Sequence, residues 1–192
     1  MAWLYHGSPV EGIRRLRAGS RLHGTGEPVL YLTDSPAYAL FYIWDVGRTG
    51  YPCKHVTAWL DGGIAQYEEQ FAGQLAAFYQ GAAGWLYRVE RTPEMLPVPG
   101  REGLFSAPAD TPVAGADFIP DVYAALEEQA QEGRARIWRF TERTPEKQAE
   151  LTGMIAQAIA QNGFYRGRPE EGFFRRYFAD AWERAQEAGH GA

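Results

Sequence analysis

The order in which two hydrophobic periods follow one another constrains the fold most. Short strand-forming runs closed by glycine or proline fill the first two-thirds of the chain, and longer stretches with helical spacing occupy the end. Ala2 to His6 is closed by Gly7-Ser8-Pro9. Val29 to Thr33 leads into Asp34-Ser35-Pro36, a helix start. Ser35 caps it, and Pro36 suits the first helical position because the N–H it lacks would be unpaired there. Further strands are expected at 53–60, 84–90, 103–107, 111–119 and 134–140, and helices at 37–46, 71–79 and 121–132. Residues 11–27 hold glycines at 12, 19, 24 and 26 and few apolar anchors (Ile13, Leu16, Leu22), so they are expected to form a loop with one helical turn at most. Thr144-Pro145-Glu146 opens a helix with Leu151, Ile155 and Ile159 on one face. A last helix over 169–187 carries Phe173, Phe174, Tyr177, Phe178 and Trp182 as an apolar stripe, which reads as core packing. The order predicts an α+β body over residues 1–140, with a C-terminal helical extension over 141–192 packed on the same domain as a cover.

Charge and cysteine content narrow the classes of function. A formal net charge of −5 over 192 residues argues against general nucleic-acid binding. The basic run Arg14, Arg15 and Arg17 reads as a solvated face. Cys53 is the one cysteine; it can form no internal disulfide, argues against a zinc site and fits a reducing compartment. No apolar run approaches the roughly 20 residues that span a bilayer, and the N-terminus lacks the pattern of a secretory leader. The expectation is a cytoplasmic protein with no membrane partner. His6, His23, His55 and His190 have no metal-ligand spacing, and neither a Gly-x-Gly-x-x-Gly turn nor a P-loop is present, so no metal is expected.

Two segments carry candidate chemistry. In Leu4-Tyr5-His6-Gly7-Ser8 a histidine ends a strand, and the following glycine lets a flat ligand approach the main chain. In Val29-Leu30-Tyr31-Leu32-Thr33-Asp34-Ser35-Pro36, leading into Ala37-Tyr38-Ala39-Leu40-Phe41-Tyr42, Tyr31 and Tyr42 stand eleven positions apart on a strand and the helix after it. Two such rings around one cleft would clamp a planar cationic heterocycle such as nicotinamide.

Taken together, the two segments resemble the first two motifs of the ADP-ribosyltransferase superfamily, in the branch with a His-Tyr-Glu triad that includes poly-ADP-ribose polymerases and DNA-targeting bacterial toxins. RNA 2′-phosphotransferases share the fold. The resemblance covers residues 3 to 43. It implies a split β-sheet core and NAD as a consumed substrate. It places His6 on the adenosine ribose, the Gly7 backbone on the carboxamide, Tyr31 and Tyr42 on the nicotinamide ring, and Ser8 at the ribose. Ala39 stands where the family often has a hydroxyl residue. The triad glutamate has no clean counterpart. Strand order puts its place near Asp110-Thr111, so Asp110 would complete the catalytic set with His6 and Tyr31; Asp117, Glu68 and Glu69 are the other acidic candidates.

The chemistry so implied is substitution at the anomeric carbon of the nicotinamide ribose, with a carboxylate stabilising an oxocarbenium-like transition state and ADP-ribose passing to an acceptor the sequence does not identify. The alternative is a module that binds NAD or ADP-ribose without turning it over. RNA 2′-phosphate transfer ranks lower, because it needs phosphate-holding basic residues that this acidic chain does not advertise. An interaction protein that kept the fold for another use ranks lower too.

Overall fold

The computed structural model describes residues 2–21, 26–51 and 57–190. His23, Cys53, His55 and the start of the strand expected at 53–60 lie outside the described residues. The elements are β1 (Trp3–Ser8), β2 (Arg15–Leu16), β3 (Ser20–Arg21), β4 (Pro28–Thr33), α1 (Pro36–Leu40), α2 (Val46–Thr49), β5 (Thr57–Asp61), β6 (Ile64–Glu68), α3 (Gln74–Tyr79), β7 (Gly84–Glu90), β8 (Leu96–Pro97), β9 (Leu104–Ala107), β10 (Thr111–Pro112), β11 (Gly115–Ile119), α4 (Val122–Gln131), β12 (Ala135–Trp138), α5 (Pro145–Gln161), α6 (Pro169–Tyr177) and α7 (Ala179–His190). The class is α+β with open sheets. Among the described residues no helix is long and apolar enough to cross a membrane.

The main sheet runs β11-β7-β1-β4-β9-β8, with β3 added to β4. Its pairing is uneven. β1 pairs with β7 from Trp3↔Glu90 through Ser8↔Trp85, and β4 with β9 from Leu30↔Ala107 to Thr33↔Leu104. Between β1 and β4 the register holds at a single pair, Tyr5↔Thr33. Continued, that register would set Gly7 opposite Tyr31; instead the strands part there. Partners share a face of a sheet, so Leu4 and His6 lie with Tyr87 and Val89, and Tyr5 and Gly7 lie with Thr33 and Tyr31. Leu4, Leu30, Leu32, Tyr87, Val89 and Phe105 form the core on the first face.

On the other face α1 crosses β1. Ser35 caps the helix by accepting the Tyr38 N–H at 3.2 Å, with Pro36 at its start. The crossing is so close that a Cβ on Gly7 would lie 2.1 Å from the Ala39 carbonyl oxygen. This contact is what demands glycine at position 7. The α-helical ladder stops at Leu40 rather than running to residue 46. The chain tightens into i→i−3 bonds, Tyr42 N–H to Ala39 O at 3.0 Å and Ile43 N–H to Leu40 O at 3.0 Å, which keeps Phe41 and Ile43 fully buried.

By packing, the chain forms two compact units. The first holds the described residues of 1–45, 58–67 and 79–137, and contains the main sheet. The second holds those of 46–57, 68–78 and 138–192. Inside the second, Thr144 caps α5 by accepting the Lys147 N–H at 3.3 Å. The aromatic stripe forms the unit's core. Phe173 stacks on Tyr51 at 4.6 Å, Phe178 meets Phe71 edge-on at 5.0 Å, and Phe174 stacks with Tyr165 at 4.9 Å. The helix expected over 169–187 breaks at Phe178, whose backbone leaves the helical region (φ −120°, ψ 47°) while its ring stays buried.

Gly7→Ala tests the close crossing of α1 over β1. The added methyl must push the Ala39 peptide away, an overpacking cost of about 1–3 kcal/mol. Urea denaturation should show that loss, and an unchanged midpoint would contradict the crossing.

Candidate functional site

Where β1 and β4 part, the first unit holds a cavity of about 420 Å³, a size ordinary for small-molecule sites. Three parts of the chain supply most of its described lining, and Leu104 of β9 adds to it. β1 supplies His6 and Gly7. β4, α1 and the turn after α1 supply Tyr31, Tyr38, Ala39 and Tyr42. The segment between β1 and β4 supplies Ile13, Arg15, Leu16 and Arg17. His6, Gly7, Tyr31 and Tyr42, singled out in sequence, therefore meet at one cavity. Because the gap lies between two strands of one sheet, residues from both faces reach it.

The His6 ring spans the gap. Its Nδ1 lies 3.3 Å from the Tyr31 carbonyl oxygen. A carbonyl only accepts, so Nδ1 carries the proton, and in the neutral ring Nε2 is left as an acceptor. Burial holds the His6 pKa below its ordinary value; the bond to the Tyr31 carbonyl opposes the shift without cancelling it. Neutral His6 can thus accept a hydrogen bond from a hydroxyl at Nε2.

The tyrosines form a braced aromatic wall. Tyr38 and Tyr42 meet edge to face at 5.6 Å, with their hydroxyls 3.3 Å apart. Burial first, then the neighbouring Tyr38, pushes the Tyr42 phenol far above its ordinary pKa, so it stays protonated. The Tyr31 hydroxyl donates to the Arg21 carbonyl at 3.2 Å. At Ala39 the wall offers a methyl group and main chain but no hydroxyl, and its carbonyl is the group packed against Gly7.

The other candidates are engaged elsewhere. Ser8 does not line the cavity; its Oγ accepts the Val10 N–H at 3.2 Å. Asp110 does not line it either; its Oδ1 accepts the Ala18 N–H at 2.9 Å. The Thr111 hydroxyl donates to the Ala109 carbonyl at 3.2 Å, and Asp117 pairs with Arg88 at 3.4 Å. In the second unit, Glu68 pairs with Arg143. There Glu69 accepts the Leu75 N–H at 3.0 Å and the Phe140 N–H at 3.1 Å, with Arg139 at 3.5 Å. No aspartate or glutamate is among the described residues that line the cavity. Nor do three His, Cys, Asp or Glu side chains cluster as a metal site among the described residues.

Tyr38, Arg15 and Arg17 belong to the site and were not singled out for it in sequence. Tyr38 was legible, one helical turn before Tyr42 and so on the same face. The arginines flank Leu16 in a two-residue strand, and nothing in the local pattern says that both reach a ligand cavity. Compared with models of protein families, with curated proteins and with solved structures, the chain matches none.

The lowered His6 pKa fixes a pH dependence. As pH falls through about 6.5, the unfolded chain takes up a proton at this ring while the folded protein stays neutral. The stability His6 contributes is therefore full above that pH and is lost as pH falls toward the folded pKa. Denaturant unfolding should show stability falling as pH drops below about 6.5, with a shallower fall in His6→Gln. A ring titration by NMR with its midpoint at or above the ordinary histidine value would contradict a neutral, half-buried His6.

Proposed function

We propose that the protein binds NAD, or a related ADP-ribose-containing nucleotide, in this cavity, in the manner of the ADP-ribosyltransferase superfamily. The observation that carries the proposal is the convergence of His6, Gly7, Tyr31 and Tyr42 on one cavity. The tyrosine wall suits the flat, cationic nicotinamide ring. The Gly7 main chain stands at a strand edge that has lost its partner, where a carboxamide can replace the missing ladder contacts. His6 Nε2 is an acceptor for a ribose hydroxyl. Arg15 and Arg17 add positive charge to a mostly apolar lining, which suits the phosphates of such a nucleotide.

Binding without turnover is the form of this function that the lining favours. Transfer of ADP-ribose would need a carboxylate near the anomeric carbon to stabilise positive charge. Asp110 spends its carboxylate on the Ala18 amide, and Glu68 and Glu69 hold contacts within the second unit. Transfer to an acceptor remains the second form. It is supported by the convergence of His6, Tyr31 and Tyr42 on one cavity, where they would hold the ribose and the ring in such a reaction. The two cavity arginines also bring RNA 2′-phosphate chemistry closer than composition alone suggests, although a nucleotide diphosphate accounts for them without RNA.

Calorimetry with NAD and ADP-ribose tests the proposal. The wild type should bind, and His6→Ala should lose about 1–3 kcal/mol, the scale for a removed buried polar partner. NAD incubated with the wild type should stay intact, or turn over slowly. No binding at millimolar ligand would contradict the function. Rapid NAD consumption that survives Asp110→Ala would replace the binding form with the transfer form.

A further inference from the structure

Asp110 lies far along the chain from the cavity-lining segment 13–20, yet it holds that segment in two ways. Its Oδ1 accepts the Ala18 N–H at 2.9 Å, and its carbonyl accepts from Arg15 Nη1 at 3.2 Å. Other contacts fix the two ends of the segment, with Ser20 paired to Val29 at its far end. Leu16 pairs with Thr111 and Arg15 with Pro112, and the Val113 N–H reaches the Arg14 carbonyl at 3.0 Å. The Tyr87 hydroxyl donates to the Val10 carbonyl at 2.6 Å and accepts the Ile13 N–H at 3.2 Å. Beyond Leu16 the chain turns, and Asp110 grips that turn at Ala18. Both arginines of the cavity wall sit on either side of Leu16, next to this grip. The Arg17 guanidinium has no partner among the described residues. Both arginines line the cavity and no carboxylate is among the described lining, so an anion there meets positive charge with no opposing negative group.

We propose that Asp110 is a positioning residue: by anchoring Ala18 and Arg15 it sets Arg15 and Arg17 to take the diphosphate of the bound nucleotide. This rests on the NAD-type function proposed above, and it assigns Asp110 a role through other residues rather than in chemistry. What matters is an acceptor oxygen at this position, so asparagine should serve nearly as well as aspartate.

The test is calorimetry of ADP-ribose, ADP and nicotinamide riboside with the wild type, Asp110→Ala, Asp110→Asn and Arg17→Ala. ADP-ribose and ADP carry the diphosphate, and nicotinamide riboside carries the ring and ribose without it. Asp110→Ala should weaken ADP-ribose and ADP about tenfold, the scale of one lost hydrogen bond to a charged group, and leave nicotinamide riboside unchanged. Asp110→Asn should restore most of the loss. Arg17→Ala should weaken the same two ligands and flatten the salt dependence of their binding. Combined with Asp110→Ala it should cost less than the two single losses added, because both act on one contact. Wild-type binding of ADP-ribose untouched by Asp110→Ala would overturn the inference. An equal loss for nicotinamide riboside would overturn it too, since that would mark general damage to the fold. A wild type that binds nicotinamide riboside but neither diphosphate would overturn this inference alone, whereas one that binds none of the three would remove the NAD-type function with it.

Discussion

The separation of β1 from β4 is the constraint on which the site depends. Two neighbouring strands of one sheet pair at Tyr5↔Thr33 and then part, so main-chain groups that a continuous ladder would consume are left facing a gap. Unpaired buried main-chain groups are costly, and a fold keeps such a gap only when something spans or fills it. The His6 ring spans it, reaching the Tyr31 carbonyl from the opposite strand. On the outer flanks β7 and β9 hold β1 and β4 through longer ladders. The opening is therefore framed on both sides by paired sheet.

Each wall is fixed by a different kind of contact. The tyrosine wall stands where it does because Gly7 lets α1 lie against β1, which brings Ala39 and Tyr42 over the strand end. The arginine wall has almost no regular structure. It is held by a two-residue ladder, by the Tyr87 hydroxyl bridging Val10 and Ile13, and by Asp110 at its turn. Interiors packed this tightly resist even one extra methyl group, whereas a turn held by single hydrogen bonds changes its position for little energy. The tyrosine end of the cavity is consequently set by close packing, and the end facing Arg15 and Arg17 by hydrogen bonds beside the buried Leu16.

Much of the architecture was legible because it is written in local periodicity. The strands at β1, β4 and β7, the Ser35 and Thr144 helix starts and the buried aromatic stripe of α6 and α7 all follow from neighbouring residues. The bringing together of His6, Gly7, Tyr31 and Tyr42 was legible as a paired motif. The rest depends on distant contacts. The two-residue strands β2 and β10 exist only by pairing with each other from far apart in the chain, so 11–27 read as loop. The tightening after Leu40 leaves the same residues apolar as a continuing helix would, and periodicity does not distinguish the two. Asp110 shows the limit most clearly. In sequence it is an acidic residue near the expected position of a triad glutamate. In the structure its carboxylate reaches back 92 residues to the Ala18 amide, a pairing that no spacing rule anticipates.

Whether the gap between β1 and β4 takes the nicotinamide ribose, as proposed, is tested most directly by a crystal structure with NAD or a non-hydrolysable analogue at saturating concentration. The expected result is a nicotinamide ring packed on the wall of Tyr31 and Tyr42 at ordinary stacking distance, its carboxamide on the Gly7 main chain and a ribose hydroxyl on His6 Nε2. An empty cavity at full occupancy of the ligand elsewhere on the molecule would contradict it.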